Sequence, residues 1–179
     1  MDVRPVEPGD CQIICDIYNY YIENTVISFE EQPLTVDEMA QRVLACTVSY
    51  PWLVCVDSGR VVGYAYAGAY RPRLGYRYTV ENSVYIHPHY QQRGLGRRLL
   101  AQLIATCEAG GYRQMVAVIG DSGNIASIRL HQALGFVHVG TLPNVGFKHG
   151  RWLDCVLMQR SLGDGDRRLP DGDQEGENE

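Results

Sequence analysis

The stretch Val80–Cys107, VENSVYIHPHYQQRGLGRRLLAQLIATC, limits the possible folds more than any other part of the chain. Ser83 to Ile86 is rich in β-branched and aromatic residues and reads as a strand. His87 to Arg93 reads as a loop. Beyond it Leu95, Leu99 and Leu103 recur four apart, with Leu100, Ile104 and Cys107 widening the stripe into the apolar face of a long helix. Gln91, Gly94 and Gly96 form a Q-x-x-G-x-G pattern at the junction. The first helical turn has N–H groups without internal partners and carries partial positive charge. Glycines let that backbone approach a bulky anion, and Arg93, Arg97 and Arg98 add formal charge. The direct reading is a phosphate or pyrophosphate site, although the same pattern serves ordinary tight turns. There is no G-x-x-x-x-G-K-S/T of a nucleoside-triphosphate loop. Gly96 is followed by Arg97, Arg98 and Leu99, so the third glycine of a dinucleotide fingerprint is missing.

The rest of the chain supplies an α/β frame for this junction. Asp2 to Val6 alternates weakly as a first strand, and Asp10 is placed to cap a helix with Ile13, Ile14, Ile17, Tyr20 and Tyr21 on its apolar face. Asn24 to Pro33 reads as a loop whose Phe29 suits either a hydrophobic anchor or a substrate-facing wall. Thr35-Val36-Asp37-Glu38 is a capping box that predicts a second helix to about Cys46. Trp52 to Val56 and Arg60 to Ala69 read as a hairpin around Asp57-Ser58-Gly59. Tyr76 to Ile86 is the strand that feeds the motif. Gln114 to Ile119 is a further strand, Asn124 to Leu134 a short helix ended by Gly135, and two more strands close the sheet at Gln159. The order β-α-α-β-β-β-α-β-α-β-β predicts a mixed sheet flanked by helices. In such a sheet a ligand belongs at the carboxyl end of the strand before the crossover helix.

Charge matters only once it is located. The formal net charge is −5, and Gly163 to Glu179 alone holds seven acidic residues against two arginines, so residues 1–162 carry 14 of each sign. A balanced body gives no support to a nucleic-acid surface. The reading is one domain over residues 1–162, followed by a polar, glycine-rich acidic tail over 163–179 expected to be disordered. No apolar run approaches the roughly 18 residues of a membrane span. MDVRPVEPGD lacks a basic region and an apolar run, so the default compartment is the cytoplasm. Cys11, Cys15, Cys46, Cys55, Cys107 and Cys155 form no C-x-x-C pair, and no histidine cluster has metal-ligand spacing, which predicts reduced thiols and no metal.

Two further stretches carry a family resemblance. Asn124-x-x-Ser127-x-x-Leu130-His131-x-x-Leu134-Gly135-Phe136 follows the glycine loop at 30 residues, and with Q-x-x-G-x-G it resembles the GCN5-related N-acetyltransferase (GNAT) superfamily. VGFKHGRWLDCVLMQ over Val145–Gln159, YPWLV over Tyr50–Val54 and TVENSVYI over Thr79–Ile86 are similar to the branch acting on phosphinothricin and methionine sulfoximine. The resemblance covers about residues 1–162 and implies a GNAT-type, largely antiparallel sheet. It also implies acetyl-CoA as co-substrate, a small amino-acid-like acceptor and a homodimer.

The matching positions take roles by the same resemblance. Backbone groups of Val84, Tyr85 and Ile86 would pair with the pantetheine arm. Gln92, Arg93, Gly94, Leu95, Gly96 and Arg97 would cradle the pyrophosphate, and Asn124 would bind near the pantetheine. Glu81 occupies the base position, and His131 stands where many members carry Tyr. Chemistry gives Glu81 a task, because an α-amino group with a reference pKa near 8 is mostly protonated at neutral pH and must lose that proton before attacking a thioester. His131 would protonate the departing thiolate or relay the acceptor's proton. Arg71, Pro72 and Arg73, with Asn82 and Ser83, would hold the acceptor, its carboxylate matching guanidinium geometry, and Phe29 would supply an apolar wall. Lys148 and Arg151 read as structural or dimer-facing. The expected activity is direct N-acetylation of methionine sulfoximine, methionine sulfone or phosphinothricin. The alternatives are another small amine or amino acid as acceptor, or a non-enzymatic acetyl-CoA sensor.

Overall fold

A computed structural model describes residues 1–170. Among these residues seven strands form one sheet in the order β1-β2-β3-β4-β5-β7-β6. In chain order the elements are β1 (Asp2–Pro5), α1 (Cys11–Asn24), α2 (Val36–Thr47), β2 (Trp52–Asp57), β3 (Arg60–Ala69), β4 (Thr79–Ile86), α3 (Leu95–Ala109), β5 (Gln114–Gly120), α4 (Ile125–Ala133), β6 (Val137–Lys148) and β7 (Arg151–Ser161). All neighbours are antiparallel except β4 and β5, the pair joined by the α3 crossover.

Apolar periodicity decides which face of the sheet each helix covers. Leu95, Leu99, Leu100, Leu103, Ile104 and Cys107 of α3 are all buried against one face, together with Val80, Met115, Ala117 and Met158. Ile14, Ile17, Tyr18, Tyr21 and Ile22 of α1, with Met39 and Val43 of α2, cover the other face over Trp52, Val54 and Tyr64. Fully burying one such leucine or isoleucine contributes about 1.5–3 kcal/mol, so each stripe is ample to hold its helix on the sheet. The capping box at the start of α2 is formed: Glu38 N–H donates to Thr35 Oγ1 at 3.3 Å and Thr35 N–H donates to Glu38 Oε2 at 2.7 Å.

Asp10 does something other than cap α1. Its side chain makes no cap bond to that helix. It accepts from both Arg4 guanidinium nitrogens, at 2.7 and 2.9 Å, and from Glu7 N–H at 2.8 Å, in a short 3-10 turn that precedes α1. Burial pushes this carboxyl up, yet the hydrogen bonds from Arg4 and Glu7 and the Arg4 charge outweigh it and hold the group below the ordinary aspartate range. Its stabilisation is therefore present above the unfolded aspartate pKa and lost as pH falls through the lower folded value. Asp10→Ala is expected to cost roughly 2 kcal/mol near neutrality and to lower Tm by roughly 4–8 °C. Thermal melts at neutral and strongly acidic pH check this, since the gap between variant and wild type should close in acid.

The described start of the expected tail, residues 163–168, runs through turns and bends, with Gly165 N–H donating to Leu162 O at 2.9 Å and Asp164 lying 3.8 Å from the Arg113 guanidinium. Leu162 is fully buried and draws these residues back onto the sheet. The expectation for 171–179 lies outside the described residues. No described helix is long and apolar enough to cross a membrane.

Candidate active site

The site begins where two parallel strands part. β4 and β5 pair from Thr79↔Gln114 to Asn82↔Ala117, and the ladder stops there although β4 runs on to Ile86 and β5 to Gly120. Ser83 to Ile86 and Ala117 to Gly120 line a cleft of about 460 Å³. Backbone groups along a parted ladder lack their usual partners, so this gap can take an extended, amide-bearing chain as an added strand. The cleft is lined from both faces of the sheet. Tyr21 and Ile27 line it from the α1 side, and Leu130 and His131 of α4 line it from the α3 side.

Strand alternation divides the site's side chains between those faces. Val80, Val84 and Ile86 pack on the α3 side. Tyr85 packs on the α1 side, in edge contact with Tyr18 and Tyr21 at ring separations of 5.2 and 5.3 Å. Glu81 and Ser83 share its face. Asn82 lies on the other, where its Nδ2 is 3.0 Å from His131 Nε2. Glu81 and His131 thus sit on opposite faces, and Asn82 shares the His131 side while its neighbour Ser83 shares that of Glu81.

His131 is buried, and its Nδ1 lies 2.8 Å from Ser127 O. A carbonyl can only accept, so Nδ1 carries the ring proton, and Nε2 of the neutral ring accepts from the Asn82 amide. Burial pushes the His131 pKa down, with the Ser127 bond opposing. Asn82 Oδ1 is buried without a partner. An orphaned acceptor lining a cleft fits a ligand that brings an N–H, as an amide-containing arm does.

Burial pushes the Glu81 carboxyl up, and Arg71 draws it partly back. Arg71, Pro72 and Arg73 are otherwise exposed, with the Arg71 guanidinium 5.0 Å over the Tyr70 ring. Ser83 shares a hydrogen bond with Tyr66, which stacks on Trp52 at 4.2 Å.

At the α3 end, Gly94 is the N-cap residue with φ +76° and ψ 3°, a left-handed conformation natural to glycine. Gln92, Gly94, Gly96 and Arg97 line the cleft. Leu95 is in the core and offers only its backbone, and the Arg93 guanidinium lies 4.9 Å over the Tyr90 ring. Asn124 lines the cleft but caps α4, its Oδ1 accepting from Ser127 N–H at 3.2 Å. Tyr21, read in sequence only as part of an apolar face, ties the halves together. Its hydroxyl donates to Ile86 O at 2.5 Å and accepts from Gln91 Nε2 at 3.0 Å.

Cys46, at about 11, and Cys107, at about 12, are thiols that burial pushes far from ionisation, which makes them poor nucleophiles. No cluster of three or more His, Cys, Asp or Glu suited to a metal occurs among the described residues.

Comparison with known proteins follows the same outline. The profile of the acetyltransferase (GNAT) family matches residues 14–136. A phosphinothricin N-acetyltransferase of Alcaligenes faecalis is 49% identical over 170 residues, covering 94% of this chain and 86% of that protein. The L-methionine sulfoximine/L-methionine sulfone acetyltransferase of Salmonella typhimurium is 43% identical over 163 residues, covering 90% and 95%. The crystal structure of a GNAT superfamily phosphinothricin acetyltransferase from Sinorhizobium meliloti in complex with AcCoA is 44% identical, superimposes with a TM-score of 0.92, and is matched over 98% of this chain and 94% of that one. A parted β4–β5 ladder closed by a left-handed glycine at the start of α3, on a chain matched this far along its length, makes the protein a member of the acetyltransferase (GNAT) family.

Proposed function

We propose that this chain transfers the acetyl group of acetyl-CoA directly to the α-amino group of a small amino-acid analogue of the methionine sulfoximine, methionine sulfone or phosphinothricin type. The observation that carries the reading is the cleft between β4 and β5, lined by the buried His131 imidazole, with the Glu81 carboxyl of raised pKa one residue before the stretch of β4 that lines it. The coenzyme arm fits along Val84, Tyr85 and Ile86, and its pyrophosphate fits the amides and charge of Gln92 to Arg97. Asn82 Oδ1 accepts an amide N–H of that arm.

On the other face Glu81 takes the proton of the acceptor ammonium, and its raised pKa makes it a better base than an ordinary carboxylate. Backbone N–H groups at the parted edge of β4 stabilise the oxyanion that develops. His131 stands on the thiol side. Once the C–N bond has formed the attacking nitrogen sheds a second proton, and as the C–S bond breaks the thiolate takes one up. Nε2 carries that proton between them, and burial, which disfavours the imidazolium, makes its release to sulfur easy. Arg71 and Arg73 hold the acceptor carboxylate, with Pro72 between them and Ser83 and Phe29 beside its head. A module that only sensed acetyl-CoA would have no use for a poised carboxylate at Glu81.

We also place the enzyme in the cytoplasm, as a homodimer with no membrane or nucleic-acid partner. Val137, Val139, Val145, Phe147 and Trp152 leave an apolar surface exposed on the β6–β7 hairpin, and β6 is the sheet's edge strand, which suits pairing with a second copy. The test of the activity is thiol release from acetyl-CoA across a panel of amino-acid analogues, common amino acids and simple amines. Methionine sulfoximine, methionine sulfone or phosphinothricin should exceed simple amines in kcat/KM by at least about a hundredfold, roughly 2.7 kcal/mol of discrimination. A simple amine leading the panel would overturn the reading.

A further inference from the structure

Lys148, at the end of β6, is among the largest fully buried side chains of the fold, at 2% exposure. Its ammonium donates to Ile22 O at 2.6 Å and to Ser28 O at 2.7 Å. Ile22 lies in the last turn of α1, where carbonyls run out of helical N–H partners and a cation meets the negative end of the dipole. Neighbouring carbonyls there are also capped, Tyr21 O by Thr25 Oγ1 at 2.7 Å and Tyr20 O by Asn24 Nδ2 at 3.0 Å. Ser28 is itself buried and sits six residues past Ile22, so one ammonium ties the helix end to the loop beyond it. Burial lowers the Lys148 pKa, while the Glu30 and Glu31 charges oppose the loss of its proton.

The residue after Ser28 is Phe29, and its ring rests in a notch of two glycines. A Cβ on Gly146 would stand 2.5 Å from Phe29 Cε2, and one on Gly120 would stand 2.8 Å from Cε1. Gly120 and Ile27 both line the cleft, so this ring sits at its rim. The β6–β7 hairpin therefore sets the position of the wall in two ways, through the Lys148 ammonium and through the missing side chain at 146.

We propose that Lys148 is a positioning residue for the acceptor, and that with Gly146 it fixes the Phe29 wall and so the size of amino-acid head the enzyme accepts. The inference rests on the acceptor reading above. Its test compares wild type, Lys148→Met and Gly146→Ala. Both variants should raise KM for the preferred acceptor by about tenfold or more and keep KM for acetyl-CoA within about twofold, whereas a general loss of packing would move both. Gly146→Ala leaves the ammonium in place, so it decides the matter if Lys148→Met does not fold. Unchanged acceptor KM in the folded variants, or parallel shifts in both constants, would overturn the inference. Chymotrypsin cleavage after Phe29 gives a readout that needs no acceptor. Cleavage at least about tenfold faster in Lys148→Met supports the clamp, and an equal rate overturns it. If the wild type acetylates no amine of the panel, the acceptor reading fails, and the cleavage rates still decide whether Lys148 holds the wall.

Discussion

Glu81→Gln is expected to lower kcat by about 10²–10⁴-fold, the usual span of a general base, and to leave KM for acetyl-CoA nearly unchanged. The amide keeps the shape of the side chain on β4 and removes only its capacity to take a proton. Because burial raises the Glu81 pKa, the wild-type kcat/KM should fall on the acid side of a value above the ordinary glutamate range, and the variant should lose that limb. The same shift makes a stability prediction of opposite sense. A carboxyl whose folded pKa is raised favours folding most at low pH, and that contribution is lost as pH rises through the folded value. Gln removes the cost of holding a charge in a half-buried site, so the variant should melt no lower than the wild type at neutral pH. Steady-state kinetics and a pH profile check the first part, and thermal melts check the second. An unchanged kcat would remove Glu81 from the mechanism.

Gly94→Val is expected to be the most damaging single change on the coenzyme side. Gly94 holds φ at +76° where the loop turns into α3. A left-handed backbone costs an ordinary residue roughly 1–2 kcal/mol, and a β-branched one more. The chain can relieve that strain only by moving the loop, which tilts the N–H groups of the first turn of α3 away from the cleft. KM for acetyl-CoA should rise by about tenfold or more, each tenfold being about 1.4 kcal/mol, and Tm should fall by roughly 2–8 °C. KM for the acceptor should move much less, because Glu81 and Phe29 belong to the opposite face. Gly96→Ala is the informative control. A Cβ there would meet Leu130 Cδ2 at 3.2 Å with no change of backbone, so only the α4 wall should respond. Equal affinity for acetyl-CoA in Gly94→Val and wild type, measured by calorimetry, would remove this turn from the coenzyme site.

The elements that touch their nearest neighbours were readable in the sequence. The α3 stripe, the capping box at Thr35 and the succession of helices and strands along the chain all follow from local patterns, and each is found in place. The glycine loop was readable because a backbone in need of left-handed freedom leaves few other choices. What stayed hidden involves partners far apart in the chain. Lys148 reads only as structural or dimer-facing, and what it holds is not legible because its two acceptors lie 126 and 120 residues away. Tyr21 reads as any apolar helix position, because the carbonyl and the glutamine that engage its hydroxyl come from the end of β4 and the loop beyond it. The position of Asp10 fits a cap, and the Arg4 guanidinium competes for the same oxygens and wins them. The division between Glu81 and Asn82 was available in principle. Adjacent residues of a strand point to opposite faces, which already sets Glu81 apart from Asn82.

The two-sided lining of the cleft has a consequence for how such an enzyme changes over time. In the proposed arrangement the acceptor meets the α1 side and the coenzyme lies toward α3, so the chamber wall facing the amino acid can be remodelled residue by residue without disturbing the fittings that grip the shared donor. Substitutions along Ile27, Phe29, Arg71 and Gly146 should therefore re-tune which amine is taken at little expense to thioester use. A selection for activity on a new amine would be expected to collect its first mutations on that side.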